Sequence, residues 1–110
     1  MLNPNKLYWL NQDIELIESQ IRNLNEEDAD YKARVEKLNR KKKRSEEERE
    51  KIQRFIDSIE DAEDRVLAHK RYIDNKDFEK IGEEHFLHRS TVSKRLKRCL
   101  EEYIRKGGGT

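Results

Sequence analysis

The sequence predicts an all-α protein, with an N-terminal coiled coil or helical hairpin followed by a C-terminal module of three shorter helices. Three observations lead to this prediction. Apolar residues recur at helical spacing along most of the 110 residues, and the period-two alternation of strands does not appear. Neither proline nor glycine occurs between residues 5 and 81, so neither interrupts a helix there. Hydrophobic residues make up only 33% of the chain, which suits elongated helical packing rather than a thick core.

The first helix is expected to begin at Asn3 and Pro4, which suit the N-cap and the first helical position. Apolar residues then follow at alternating intervals of three and four, the seam of a coiled coil. The seam residues are Leu7, Leu10, Ile14, Ile17, Ile21 and Leu24. The same frame returns at Ile52, Ile56 and Ile59. We therefore expect residues 1–60 to form a helical coiled-coil segment that also mediates oligomerisation, with a dimer favoured. A hairpin within one chain and a long parallel dimer both fit this spacing.

Two polar stretches are candidate breaks in this segment. The stretch "NEEDAD" at 25–30 is one, and "RKKKRSEEERE" at 40–50 is the other. Ser45 followed by Glu48 fits a capping box, which favours a helix that restarts there. Pairing between "RKKKR" and "EEERE" on successive helical turns is favoured over a second nucleic-acid contact.

Residues 61–106 divide into three shorter predicted helices. The first runs from about 62 to 73, with Val66, Leu67 and Ile73 in the core, and ends at a left-handed Asn75. The second is N-capped by Asp77, with Phe78 and Ile81 facing inward. The third runs from about 89 to 105, and its apolar face carries Val92, Leu96, Cys99, Leu100 and Tyr103.

The second and third of these helices have the spacing of a helix-turn-helix. Gly82 follows Ile81 where two steeply crossing helices require a small residue, and Leu87 is the apolar residue of the turn. The outer face of the third helix carries donors and short hydroxyls that suit base edges and phosphates. Its members are His88, Arg89, Ser90, Ser93, Lys94 and Lys97.

Charge is segregated in a way that favours the same interpretation. Residues 87–106 contain seven Lys or Arg and two Glu, whereas 57–64 contain five carboxylates and no base. A chain with a formal charge of only +1 therefore presents a local basic face, and salt should weaken its binding to DNA.

The segment "RYIDNKDFEKIGEEHFLHRSTVSKRLKRCLEEY", residues 71–103, resembles the C-terminal helix-turn-helix of phage transcriptional regulators related to sigma-70 region 4. "RYID" and "RSTVSKRLKR" carry most of the resemblance, which covers about a third of the chain. It implies a phage or prophage regulator that binds double-stranded promoter DNA and acts with host RNA polymerase. By position, Arg89, Ser90, Ser93 and Lys94 would face the major groove, and Thr91, Lys97 and Arg98 would lie near phosphates.

The turn departs from that family at three positions. His85 stands where the family has Leu, Phe86 where it has Gly, and His88 where it often has Ser. A left-handed conformation costs a residue other than Gly about 1–2 kcal/mol. We therefore expect a re-formed turn, in which Phe86 fills the core space vacated by Leu and His85 ends the helix.

Other functional classes receive less support. We expect no enzyme and no cofactor, because no nucleophile–base pair or phosphate-binding glycine loop stands out. Cys99 lies on the predicted core face, so a buried structural thiol is favoured over a metal ligand.

No apolar run is long enough to span a bilayer, and we expect a cytoplasmic protein of the bacterial host. We also expect a disordered tail at 107–110. The alternatives are a DNA-packaging subunit like the small terminase subunits and a protein-interaction module on a helix-turn-helix scaffold.

Overall fold

The computed structural model describes residues 2–108, and all its regular elements are helices, which confirms the predicted all-α class. The five α-helices are α1 (Leu7–Arg22), α2 (Tyr31–Ser58), α3 (Ala62–Ala68), α4 (Phe78–His85) and α5 (Arg89–Arg105). A 3-10 turn, Pro4–Lys6, precedes α1, and a π-helical turn, His69–Ile73, continues α3. Among the described residues, no helix has the length and the apolar content needed to cross a membrane.

The chain forms two compact units. The first unit combines the N-terminal residues through Tyr8 with the chain from Lys51 onward, and the second unit is Trp9–Glu50. The sequence placed the boundary near residue 60. The structure instead groups the last two turns of α2 with the C-terminal helices, because the side chains of Ile52 and Phe55 are fully buried in the core of the first unit.

The second unit contains two helical segments joined by a turn at the predicted stretch "NEEDAD". The Asn25 side chain accepts a hydrogen bond from the Glu27 amide at 3.0 Å, and the Asp28 side chain accepts one from the Asp30 amide at 3.0 Å. Such Asx turns offer the backbone an alternative to the helix. The first predicted break is therefore confirmed, and it falls between α1 and α2.

The second predicted break, at Ser45, is wrong. The helix α2 continues without interruption through the stretch, and the Ser45 hydroxyl donates to the Asp13 carboxylate of α1 at 2.9 Å. The side chain that resembled a cap thus joins the two helical segments of the second unit. Within this stretch, the Arg49 guanidinium lies 3.9 Å from the Glu46 carboxylate.

The core of the first unit is built around aromatic and branched side chains. The Phe55 ring lies 5.3 Å from the ring of Tyr103 and 6.3 Å from that of Tyr72, centroid to centroid, a range in which tilted aromatic pairs attract. The prediction that Val66 is a core residue is wrong, since it is exposed. Its neighbours Leu67 and Ala68 take the inward positions of the short helix. The fully buried aliphatic side chains are Leu7, Ile52, Leu67, Ile81, Val92 and Leu96.

The ends of the C-terminal helices follow the sequence closely. Asn75 has a left-handed backbone with φ of 57°, and the Asp77 side chain caps α4 by accepting from the Lys80 amide at 2.8 Å. After α5, the Gly107 amide donates to the carbonyl of Ile104 and the Gly108 amide to that of Tyr103. The tail at 107–110 was predicted to be disordered; Gly107 and Gly108 instead form this hydrogen-bonded turn, and residues 109–110 lie outside the described part of the chain.

Candidate nucleic-acid interface

The contact between α4 and α5 depends on Gly82. A Cβ atom at this position would lie 2.4 Å from the carbonyl oxygen of Leu87, which is backbone and cannot move aside. The Gly82 carbonyl in turn accepts a hydrogen bond from the Leu87 amide at 2.9 Å. The small residue predicted at this position is therefore required by the close approach of the Leu87 backbone.

The connection itself differs from the prediction. Phe86 has φ of 58° and ψ of 39°, the left-handed conformation, and its amide donates to the Gly82 carbonyl. With the bond from Leu87, this arrangement resembles a Schellman end, for which Gly is preferred. Phe86 is also 95% exposed. The expectations that it avoids the glycine conformation and fills the core are both wrong.

His85 takes the inward position instead. Its side chain is 15% exposed, and Nδ1 lies 3.4 Å from the Glu63 carboxylate of α3. The other ring nitrogen, Nε2, is buried without a hydrogen-bond partner within the described part of the chain. The prediction that α4 ends at His85 is confirmed. The left-handed residue is Phe86, which follows the helix end. This arrangement leaves the His85 imidazole facing inward and the Phe86 ring in solvent.

His88 begins α5 as its N-cap. Its backbone is extended, and Nδ1 accepts a hydrogen bond from the Ser90 amide at 3.1 Å while lying 2.8 Å from the Ser90 hydroxyl. Because Nδ1 accepts from an amide, it carries no proton in this arrangement. Two of the predicted site residues are thus joined to each other at the start of the helix, where they fix its first turn.

The exposed face of α5 carries most of the predicted site. Ser90, Lys94 and Lys97 are four and three residues apart, a spacing that places side chains on one face of a helix, and all three are exposed. Ser93 lies half-buried beside them, and Arg89 is exposed at the first helical position. The core residues Val92 and Leu96 occupy the opposite face. The structure therefore brings the predicted basic and hydroxyl side chains together on one solvated surface.

The remaining predicted site residues are Thr91 and Arg98. Thr91 is half-buried, and the Arg98 guanidinium is 64% exposed and 4.0 Å from the Asp64 carboxylate. At that distance and exposure the ion pair holds Arg98 only weakly. Arg98 therefore remains accessible at the edge of the basic face.

Arg95, which was not among the predicted site residues, joins α5 to α3. Its guanidinium contacts Glu63 at 2.7 Å and Asp64 at 2.7 Å, and Asp61 at 3.5 Å. The hydrogen bond from Arg95 lowers the pKa of Glu63, and that from His85 lowers it further. The same contact with Glu63, then that with Asp64, raises the pKa of Arg95. The acidic stretch at 57–64 was the sequence signal for this cluster, but its spacing from Arg95 is not a local pattern.

The "RYID" segment has a structural role. The Arg71 guanidinium lies 4.2 Å from the centre of the Phe78 ring and donates to the Lys76 carbonyl at 3.1 Å. Glu84 accepts from the Lys76 ammonium at 3.1 Å and pairs with Lys70 at 3.5 Å. Arg71 thus fastens the turn around Asn75 to the first residue of α4, so that α4 is held by both of its ends.

Cys99 is half-buried rather than buried as predicted. It lies one turn beyond Leu96, near the edge of the core. Desolvation, then the nearby Asp64 charge, raises the pKa of its thiol to about 11. A thiol with a raised pKa is mostly protonated at neutral pH, which makes it a poor nucleophile and a poor metal ligand.

A cleft opens where the turn meets the start of α5. Its walls are formed by Glu79, Gly82, Glu83, Phe86, Leu87, His88 and Arg89. It therefore combines two carboxylates, one solvated ring and one guanidinium.

The chain matches no protein-family model, no curated protein and no solved structure.

Proposed function

We propose that this chain is a DNA-binding transcriptional regulator of the phage type, in which α4 and α5 form a helix-turn-helix like that of sigma-70 region 4. In this proposal α5 lies in the major groove of double-stranded DNA. The observation that carries it is the combination of the Gly82-dependent turn with an exposed basic face on the helix that follows. A basic helical face alone is often only solvated, whereas this face lies on a helix that packs against α4 through Gly82 and is joined to α3 by Arg95.

The charged residues on the exposed face of α5 are assigned different contacts with DNA according to their position along the helix. Arg89 and Lys94 lie toward the first half of α5, where Arg or Lys suits the O6 and N7 atoms of guanine. Lys97 and Arg98 lie further along and suit phosphates, which fix register without reading sequence. Arg95 is held by Glu63 and Asp64 of α3 and by Asp61, the residue that caps α3, and is assigned no contact with DNA. Its role is to hold α5 in the orientation in which its neighbours reach the groove.

The proposal is tested by substituting the two residues assigned to base edges. Arg89→Ala and Lys94→Ala should each weaken binding to the DNA upstream of the encoding gene by about 5-fold to 150-fold, since a good base contact contributes about 1–3 kcal/mol. Binding is measured by fluorescence anisotropy with labelled duplex. Lys32→Ala, an exposed lysine at the start of α2, is the matched control and should bind like the wild type.

Helicity and oligomer size should be the same in all four proteins. Wild-type affinity in both Arg89→Ala and Lys94→Ala would reject the assignment of α5 as the reading helix. The same assays with host RNA polymerase present test whether the regulator acts together with the polymerase at a promoter in the bacterial cytoplasm.

We further propose that the second unit mediates self-association, with a dimer as the expected product. Trp9 is 64% exposed and Leu16 is 56% exposed, and their spacing of seven residues places them on one side of α1. The seam residues Leu10, Ile21 and Leu24 are only half-buried. A second copy would cover the side of α1 that carries Trp9 and Leu16 and would present two reading helices to a symmetric site.

Mass measurement in solution distinguishes the oligomers. We expect a dimer of the 13.3 kDa chain, and Leu16→Glu should shift it toward the monomer, whereas Glu15→Gln, an exposed neighbour, should not. An assembly of eight or more subunits would favour a ring-forming packaging subunit instead. A monomer at all accessible concentrations would reject self-association.

A further inference from the structure

Phe86 adopts a conformation that costs stability without contributing to the core. Its left-handed backbone disfavours any residue with a Cβ atom, and 95% of its surface remains in solvent. His85 already occupies the inward position that a large residue of the turn would take. The fold therefore gains nothing from a phenyl ring at a position that suits Gly. An uncompensated backbone outlier of this kind indicates a functional role.

The surroundings of the ring indicate what it contacts. Phe86 lines the cleft at the start of α5 together with His88 and Arg89 and with the carboxylates Glu79 and Glu83. The two carboxylates repel phosphates, so this cleft does not suit the DNA backbone. Base edges in the major groove are uncharged. They include the guanine acceptors that suit Arg, the cytosine amino group that suits a carboxylate, and the thymine methyl group that suits an apolar side chain.

We propose that Phe86 contacts the 5-methyl group of a thymine beside the base read by Arg89, and so acts as a specificity-determining residue. This inference rests on the proposed DNA-binding function. It explains why an exposed ring is held in the turn before the reading helix in spite of the backbone strain. It also assigns the turn itself, as well as α5, a part in sequence recognition.

Replacing single thymines by deoxyuridine tests the contact, because the two bases differ only by the methyl group. Each thymine of the bound site is replaced in turn, and the affinities of the wild type, Phe86→Gly and Phe86→Ala are measured. For the wild type we expect one position at which the replacement weakens binding by about 4-fold, the effect of removing one buried methyl group. Both variants should bind the thymine and deoxyuridine duplexes equally at that position.

Lys94→Ala is the matched control, since it should weaken binding to both duplexes by the same factor and preserve the 4-fold difference. Phe86→Gly relieves the backbone strain, and circular dichroism checks that both Phe86 variants are folded. If the wild type binds DNA but Phe86→Gly shows the same thymine preference at every position, the ring reads no thymine and the inference is rejected. If the wild type binds no DNA, the proposed function fails, and the inference fails with it.

Discussion

At the scale of single residues, the turn between α4 and α5 is controlled by Gly82 and Phe86 for different reasons. Gly82 is required because a backbone carbonyl occupies the space of a Cβ atom. Phe86 is tolerated although its backbone conformation suits Gly. The chain thus keeps a glycine where steric overlap forbids anything larger, and accepts strain where only the backbone dihedral angles are at issue.

The steric requirement at Gly82 predicts a large effect of one methyl group. Gly82→Ala should lower the free energy of unfolding by about 2 kcal/mol, because overpacking against the Leu87 carbonyl costs about 1–3 kcal/mol and outweighs the helix propensity gained with Ala. Urea denaturation followed by circular dichroism measures the change. Glu83→Ala, an exposed neighbour in the same helix, should stay within about 0.5 kcal/mol of the wild type. Equal stability of Gly82→Ala and the wild type would show that the close approach is not required.

At the scale of elements, sequence reasoning succeeded where a helix end has a local chemical cause. The caps at Asn75 and Asp77 were predicted because the responsible side chains are adjacent in sequence. The limits of α5 at about 89 and 105 were also predicted, although its N-cap, His88, had been assigned only to the DNA-facing surface. The break at Ser45 was wrong because a capping box and a hydrogen bond to another helix use the same hydroxyl. The inward position was wrongly assigned to Phe86 rather than to His85, whose partner Glu63 lies in α3, 22 residues earlier.

In the candidate site, the ion pairs between Arg95 and the carboxylates near α3 are the contact that the sequence did not predict. The residues of the basic face were predicted from helical spacing, whereas the side chain that orients the helix was not. Its partners in α3 are about 31 residues away, and sequence separation of that size leaves no periodic pattern. A local basic run cannot reveal which of its members is held in an ion pair.

Removing Arg95 should therefore affect stability more than removing a solvated arginine beside it. Arg95→Ala leaves the Asp64 carboxylate, whose side chain is 8% exposed, without its closest partner. We expect a loss of about 2–3 kcal/mol in the free energy of unfolding, below the range for fully buried pairs because Arg95 is partly exposed. Arg98→Ala removes a guanidinium 4.0 Å from the same carboxylate and should cost less than about 1 kcal/mol. Equal effects of the two substitutions in thermal denaturation would contradict the role assigned to Arg95.

At the scale of the whole molecule, the proposed function assigns different tasks to the two compact units. The first unit holds the basic face of α5 on a core of buried aromatic and aliphatic side chains, and the second unit presents exposed apolar residues for a second copy. The formal charge of +1 conceals this arrangement, because the carboxylates of α3 offset Arg95 while Lys94 and Lys97 remain in solvent. DNA binding should therefore depend on local charge rather than on net charge.

The salt dependence of DNA binding tests this account most directly. The affinity for a duplex from the region upstream of the encoding gene is measured between roughly 50 and 200 mM salt. We predict that log K falls linearly with log salt concentration, that Lys97→Ala reduces the slope by about one, and that Lys32→Ala leaves it unchanged. A wild-type affinity that is undetectable at the lowest salt concentration, or a slope that Lys97→Ala does not alter, would contradict the central claim that the exposed face of α5 binds DNA.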